Sequence, residues 1–150
     1  MRIVIQRVAH ASVTINDRVK SRIGKGYLIL VGICEEDTRE DVDWLVRKII
    51  NLRVFEDENG IMNLPLADVN GEIMVISQFT LFASYKKNNR PSWMRAAKHE
   101  TAIPLYEYFC ECLSIANGKE VGRGEFGADM KVELLNDGPV TICMDTKNKE

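Results

Sequence analysis

Apolar and polar residues alternate over Ser12–Asn16 and again over Arg18–Ile23, on either side of Asn16-Asp17. This pattern predicts two half-buried strands joined by a hairpin turn. Tyr27–Ile33 departs from it, as a continuous apolar run bracketed by Gly24, Gly26 and the acidic Glu35-Glu36-Asp37; such a run suits a central strand buried on both faces. Beyond Thr38 the period lengthens. Val42, Leu45, Val46, Ile49 and Ile50 recur at helical spacing, with Asp41 placed to form a capping box with Thr38. Leu52–Phe55 reads as a short strand ending in Asp57-Glu58-Asn59-Gly60, and Asn70-Gly71 marks a turn before Ile73–Ile76, a strand that delivers Ser77–Thr80 at its C-terminal end. Glu100–Asn117 returns to helical spacing, with Tyr106, Phe109, Cys110 and Leu113 on one face, Pro104 expected in the first turn and Gly118 at C′. After a glycine-punctuated loop, Met130, Val132 and Leu134 alternate with polar neighbours. Val140, Ile142 and Met144 repeat that pattern beyond an expected turn at Asn136-Asp137-Gly138-Pro139.

Strands outnumber helices and are often joined by hairpins, so the expected class is α+β: a mainly antiparallel, barrel-like β-sheet with two packed α-helices. The 150 residues suit one domain, 1–150, with 145–150 as a frayed polar tail. A composition of 45% hydrophobic and 28% charged residues excludes disordered and fibrous classes and supports a core without staples. The N-terminal segment lacks a signal-peptide pattern, and no apolar run approaches the ~18 residues needed to cross a membrane; a cytoplasmic protein with no membrane partner is expected. Cys34, Cys110, Cys112 and Cys143 form no C-x-x-C pair, and Cys110 and Cys112 would point about 200° apart on a helix. Buried free thiols in a reducing compartment are therefore expected.

A net charge of −2 gives no overall attraction for polyanions, so any nucleic-acid contact must come from a local patch. Ser84–Lys98 supplies one, carrying Lys86, Lys87, Arg90, Arg95 and Lys98 with no Asp or Glu; a solvated loop and helix start is the plainer alternative. Only two histidines, His10 and His99, are present, and there is no G-x-S-x-G elbow, H-E-x-x-H pair or glycine-rich phosphate loop. His10 is expected to be a partly buried strand residue and His99 an exposed one. Ser77-Gln78-Phe79-Thr80 could present hydroxyl, amide and backbone N–H groups to a ligand, or could simply cap its strand. Asn136-Asp137-Gly138-Pro139 reads as a turn that thrusts rigid carbonyls outward. Taken alone, its X-Pro bond is expected to be trans, since only about 5–6% of such bonds are cis in folded proteins.

Together, Ser77-Gln78-Phe79-Thr80 and Asn136-Asp137-Gly138-Pro139-Val140-Thr141 resemble the paired signatures of the D-aminoacyl-tRNA deacylases. Supporting matches include Ile5-Gln6-Arg7-Val8, Ala11-Ser12-Val13, Met62-Asn63-Leu64, Arg90-Pro91-Ser92 and Ala128-Asp129-Met130. The chain departs at Trp93, where phenylalanine is expected, at Gly127, where alanine is common, and in its polar tail beyond Met144.

The resemblance implies a two-fold symmetric homodimer in which the strand signature of one subunit meets the Gly-Pro turn of the other. It implies hydrolysis of the ester joining the amino acid to the terminal adenosine of tRNA, with D-aminoacyl-tRNA and glycine mischarged on alanine tRNA as substrates. Ser77, Gln78, Phe79 and Thr80 would be the catalytic group, working by position and by backbone N–H donors around Phe79 and Thr80, with the adenosine 2′-hydroxyl assisting water. Thr80 remains open as positioner or covalent nucleophile. Asn136, Gly138 and Pro139 would reject L-amino acids, with the Gly138–Pro139 bond cis. Phe126 and Met130 match pocket-lining positions, though core packing explains them equally well, and Lys86, Lys87 and Arg90 would contact acceptor-stem phosphates. No cofactor and no metal is implied. Two other classes stand beside the enzyme: a non-catalytic binding module for charged tRNA ends or D-amino acids, and a purely structural dimer.

Overall fold

The computed structural model describes residues 1–150. Its organising element is β1 (Arg2–Ile15), which pairs antiparallel with β2 (Arg18–Ile23), β3 (Gly26–Gly32) and β8 (Lys131–Asp145). The β1–β2 hairpin turns at Asn16 and Asp17, with φ of 49° and 62°, the left-handed geometry that matches strand twist. Between β3 and β8 the chain forms α1 (Arg39–Asn51), a small sheet of β4 (Phe55–Glu56) with β5 (Met62–Leu64), β6 (Glu72–Ser77), α2 (His99–Asn117) and β7 (Gly122–Arg123).

The sheet is mixed rather than mainly antiparallel, because β3–β6 and β6–β7 pair in parallel. The reason is the connections: α1 and α2 carry the chain back across the sheet, so the next strand starts in the same direction. Strand order β2-β1-β3-β6-β7, with β8 on β1, curls into a nearly closed barrel-like sheet with two helices against it. At the seam, a Cβ on Gly122 would lie 2.6 Å from Ser21 Oγ.

Two apolar clusters explain the uninterrupted runs of β3 and β6. Tyr27, Ile29, Val31, Ile73 and Val75 face the helices, against Val42, Leu45, Ile49, Tyr106, Phe109 and Leu113. Leu28, Met74 and Ile76 point the other way, into the barrel, with Val8, Ala11, Val13 and Ile23. Burying such aliphatic side chains contributes roughly 1.5–3 kcal/mol each. In β1 the parity of buried positions changes between Val8 and Ala11, where a register shift leaves Ala9 and His10 both exposed. His10, expected to be partly buried, thus sits on a bulge.

Other local expectations are also revised. The strand expected over Leu52–Phe55 begins only at Phe55, and Pro104 lies beyond the first turn of α2. Cys143 is exposed, unlike buried Cys34 and Cys110. Near the C-terminal end, Asp145 accepts from Arg2 Nε at 2.8 Å, and the buried Thr146 donates its N–H to Met1 O at 2.9 Å. Lys147 Nζ reaches Asp41 at 2.9 Å. These contacts tie the end of β8 to the start of β1 and to α1. No helix is long and apolar enough to cross a membrane.

Candidate active site

Four consecutive buried residues, Ile73–Ile76, hold β6 in the core, and the strand emerges at half-buried Ser77. Gln78 then donates its backbone N–H to Val31 O at 2.7 Å, and Phe79–Phe82 closes into a 3₁₀ turn. Close packing under this turn depends on Gly32: a Cβ there would lie 3.0 Å from Gln78 O and 3.1 Å from Phe82 Cδ2. The first N–H groups of such a turn, those of Phe79 and Thr80, have no acceptor inside it. The Thr80 hydroxyl accepts from Gln78 Nε2.

Ser77, Gln78 and Phe79 open onto a cavity of about 670 Å³ whose far wall is Phe126, Gly127, Ala128, Met130 and Val132. Of the residues singled out from sequence, Ser77, Gln78, Phe79, Phe126 and Met130 therefore share one cavity, with Thr80 adjoining it in the 3₁₀ turn. Phe126 packs edge-on against His99 (centroids 5.5 Å apart) and Tyr106 (5.8 Å). Tyr106 donates its hydroxyl to Val75 O at 2.9 Å, and burial pushes its phenol above the usual range. Met130 is held close to β7, since a Cβ on Gly124 would meet its Sδ at 2.3 Å. A larger cavity of about 820 Å³, along Trp44, Leu81 and Met144, contains none of these groups.

Lys86, Lys87 and Arg90 lie outside the cavity, exposed on the segment fastened at its base by reciprocal Ser84–Ser92 backbone hydrogen bonds of 2.9 and 2.8 Å. Asn136, Gly138 and Pro139 are also outside it. Their setting is not the hairpin turn expected from sequence. β8 runs on past them along β1, and Asp137–Val140 bulge out of the ladder between the pairings Val8↔Asn136 and Gln6↔Thr141. The Gly138–Pro139 peptide bond is cis.

Two side chains pin this bulge. Asn136 accepts the Val140 N–H at 3.0 Å and returns its amide to Val140 O at 3.1 Å, closing the base of the loop. Arg7, 5% exposed, donates from Nε to Asp137 O at 2.8 Å and from Nη1 to Val54 O at 2.7 Å. The carboxylates of Glu56 and Asp137 lie 3.7 Å from the same guanidinium. Gly138, at φ 149°, fits beneath: a Cβ there would lie 2.7 Å from Val140 N and 3.3 Å from Arg7 Nη2.

Sequence reasoning missed three of these participants. Arg7 was visible only as part of a matching segment, and a lone Arg inside a strand pattern carries no partner information. Trp93 and His99 both line the cavity, yet they stood out only as a family departure and as a neighbour of the basic stretch. His99 makes no hydrogen bond to Ser77 or Thr80, so no serine–histidine or threonine–histidine pair is assembled. The wall that carries it is set by Glu35, which accepts from Lys98 N at 2.6 Å and Thr101 Oγ1 at 2.7 Å at the start of α2. No group of three or more His, Cys, Asp or Glu side chains is arranged to hold a metal ion.

Comparison with known proteins gives a consistent family match. The model for D-Tyr-tRNA(Tyr) deacylase matches residues 4–145. A D-aminoacyl-tRNA deacylase of Phocaeicola vulgatus is 72% identical over 150 residues, 100% of both chains, and one of Parabacteroides distasonis is 61% identical over the same span. A solved structure named c-Myc DNA Unwinding Element Binding Protein superposes with a TM-score of 0.90 at 43% identity, covering 97% of this chain and 98% of that one. Another, described as a probable eukaryotic D-amino acid tRNA deacylase, shares the fold with a TM-score of 0.82 at 17% identity, covering 95% and 97%.

Proposed function

Since the chain belongs to the D-Tyr-tRNA(Tyr) deacylase family and is a hydrolase of ester bonds, we propose that it cleaves the ester of D-aminoacyl-tRNA at the end of β6 and rejects L-aminoacyl-tRNA with the Asp137–Pro139 loop of a second subunit. One observation carries the two-subunit reading: this loop is rigidly held and exposed, yet lines no part of the cavity in its own chain. A two-fold homodimer supplies the missing wall. Glycine mischarged on alanine tRNA has no side chain for the loop to exclude and is a substrate on the same logic.

The N–H groups of Phe79 and Thr80 are the donors for the oxyanion that develops on the ester carbonyl, where preorganised donors act most strongly. Ser77 and Gln78 shape the approach, and Thr80, its hydroxyl already engaged by Gln78, positions the substrate. Phe126 and Met130 receive the amino-acid side chain. The backbone of Asn136, Gly138 and Pro139 closes the space an L-side chain would need. A thousandfold preference requires only about 4 kcal/mol of differential transition-state binding, within reach of a clash against pinned backbone. Lys86, Lys87 and Arg90 hold phosphates of the acceptor stem, and the working compartment is the cytoplasm.

The deciding experiment follows amino-acid release from matched D-tyrosyl-tRNA and L-tyrosyl-tRNA by the chelator-treated protein. Loss of the D-ester alone is expected. Loss of both would remove the chiral filter, and binding without loss of either would make the protein a binding module for charged tRNA ends. Charge reversal at Lys86 and Lys87 is expected to raise KM for tRNA about tenfold, in keeping with an electrostatic phosphate contact; an unchanged KM removes that contact.

A further inference from the structure

The cavity carries two separate aromatic groups, and only the inner one is anchored on a buried ring. At the inner wall Phe126 lies between His99 and Tyr106, the latter 2% exposed. At the lip Phe79 and Trp93 meet edge-to-face, with centroids 5.4 Å apart and planes at 80°. These two stay 54% and 42% exposed. Such an edge-on contact leaves aromatic surface free for a planar ligand.

Position along the chain says which ligand. Trp93 directly follows Ser92, whose paired hydrogen bonds with Ser84 fasten the segment bearing Lys86, Lys87 and Arg90. From Ser84 to Lys98 there are five cations and no carboxylate. Along the chain the cations lead directly into the exposed indole, and the indole lines the same cavity as Phe126. At the 3′ end of an aminoacylated RNA one ribose carries all three groups such a surface would hold, phosphate, base and acyl ester. Stacking on an aromatic platform beside a basic track is the general way single-stranded nucleic acid is held without reading its sequence.

We propose that Trp93 is the stacking residue for the terminal base of the substrate, so that it sets affinity for the nucleotide part and leaves the chemical step alone. This rests on the reading of the cavity as an aminoacyl-tRNA site.

The test uses the full-length protein and two readouts. In kinetics with D-tyrosyl-tRNA, Trp93→Ala is expected to raise KM about tenfold with kcat within about twofold, and Trp93→Phe to restore KM to within about threefold. In fluorescence, Trp44→Phe leaves Trp93 as the sole indole, because the chain has two tryptophans and Trp44 lies on α1 between Lys48 and Lys149. Adenosine 5′-monophosphate is expected to quench its emission saturably. A fall in kcat with KM unchanged would make Trp93 a support for Phe79 and overturn the proposal. So would emission that ignores the nucleotide and changes with protein dilution, which would give the lip to a subunit contact. Wild-type protein that fails to release D-tyrosine would instead count against the deacylase reading, so the two failures are distinct.

Discussion

The end of β6 and the Asp137–Pro139 bulge both present a few residues of backbone, but opposite forces hold them still. The first is positioned from below by apolar burial: Ile73–Ile76 are locked between helices and barrel interior, and Gly32 lets the 3₁₀ turn settle on β3. The second projects from a strand with little apolar support, and polar side chains fasten it, Asn136 at its base and Arg7 from beneath. On the proposed function, a catalytic backbone built on packing should respond to volume, and a filter built on hydrogen bonds should respond to lost donors. Arg7 is well suited to its part, because a guanidinium offers several rigid donors and here satisfies carbonyls from two separate segments, at Val54 and Asp137.

The largest effect is expected at the packed side. Ile73→Ala removes a side chain 1% exposed and should cost about 2–5 kcal/mol in urea unfolding, while the ratio of D- to L-ester cleavage in the protein still folded stays unchanged. Next is Arg7→Met, which keeps apolar bulk but strands the Asp137 and Val54 carbonyls at a cost of about 1–3 kcal/mol. Its stronger signature is functional: the loop loosens, and the L-ester should begin to be cleaved while the D-rate changes little. If both esters slow together, the loop serves catalysis and the contrast fails. Gly32→Ala should leave stability within about 1 kcal/mol but lower kcat about tenfold, since small misplacements of catalytic groups are costly and a new Cβ would press on Gln78 O at 3.0 Å.

The smallest effect uses pH to act on the contacts between α1 and the residues just past β8. Burial tends to raise the Asp41 carboxyl, but hydrogen bonds from Thr146, Lys147 and Thr38 outweigh it and hold the pKa at about 2, below the ordinary 3.8. A lowered folded pKa adds stability that is present above the unfolded value and lost as pH falls through the folded one. The melting-temperature gap between wild type and Asp41→Asn should thus be steady near neutrality and narrow as pH falls from about 4 towards 2. A gap that widened on acidification would show that Asp41 is not held in its charged form.

Hydrophobic period alone was enough to specify α1, α2, the β1–β2 hairpin and the doubly buried β3, because burial face and turn chemistry are local properties of those segments. It also located Ser77–Thr80 at a strand end, and family resemblance drew attention to Asn136–Pro139. Parallel pairing was not legible, since neither β6 nor β7 shows in its own residues which neighbour it will meet after a helix. The bulge was read as a hairpin turn for a related reason: a loop within one strand and a loop between two strands have the same local sequence, and only the unbroken partner β1 separates them. Arg7 gained its meaning in the same way, from carbonyls 47 and 130 residues away. The amino-acid sequence by itself determined both helices and most of the strands, because short-range sterics and apolar patterning suffice for these, and it carried the two signatures on which the family resemblance rests. Only the tertiary structure decided what holds each signature still, which aromatic surfaces stay open and which residues share the cavity, because those depend on contacts between residues far apart in the chain.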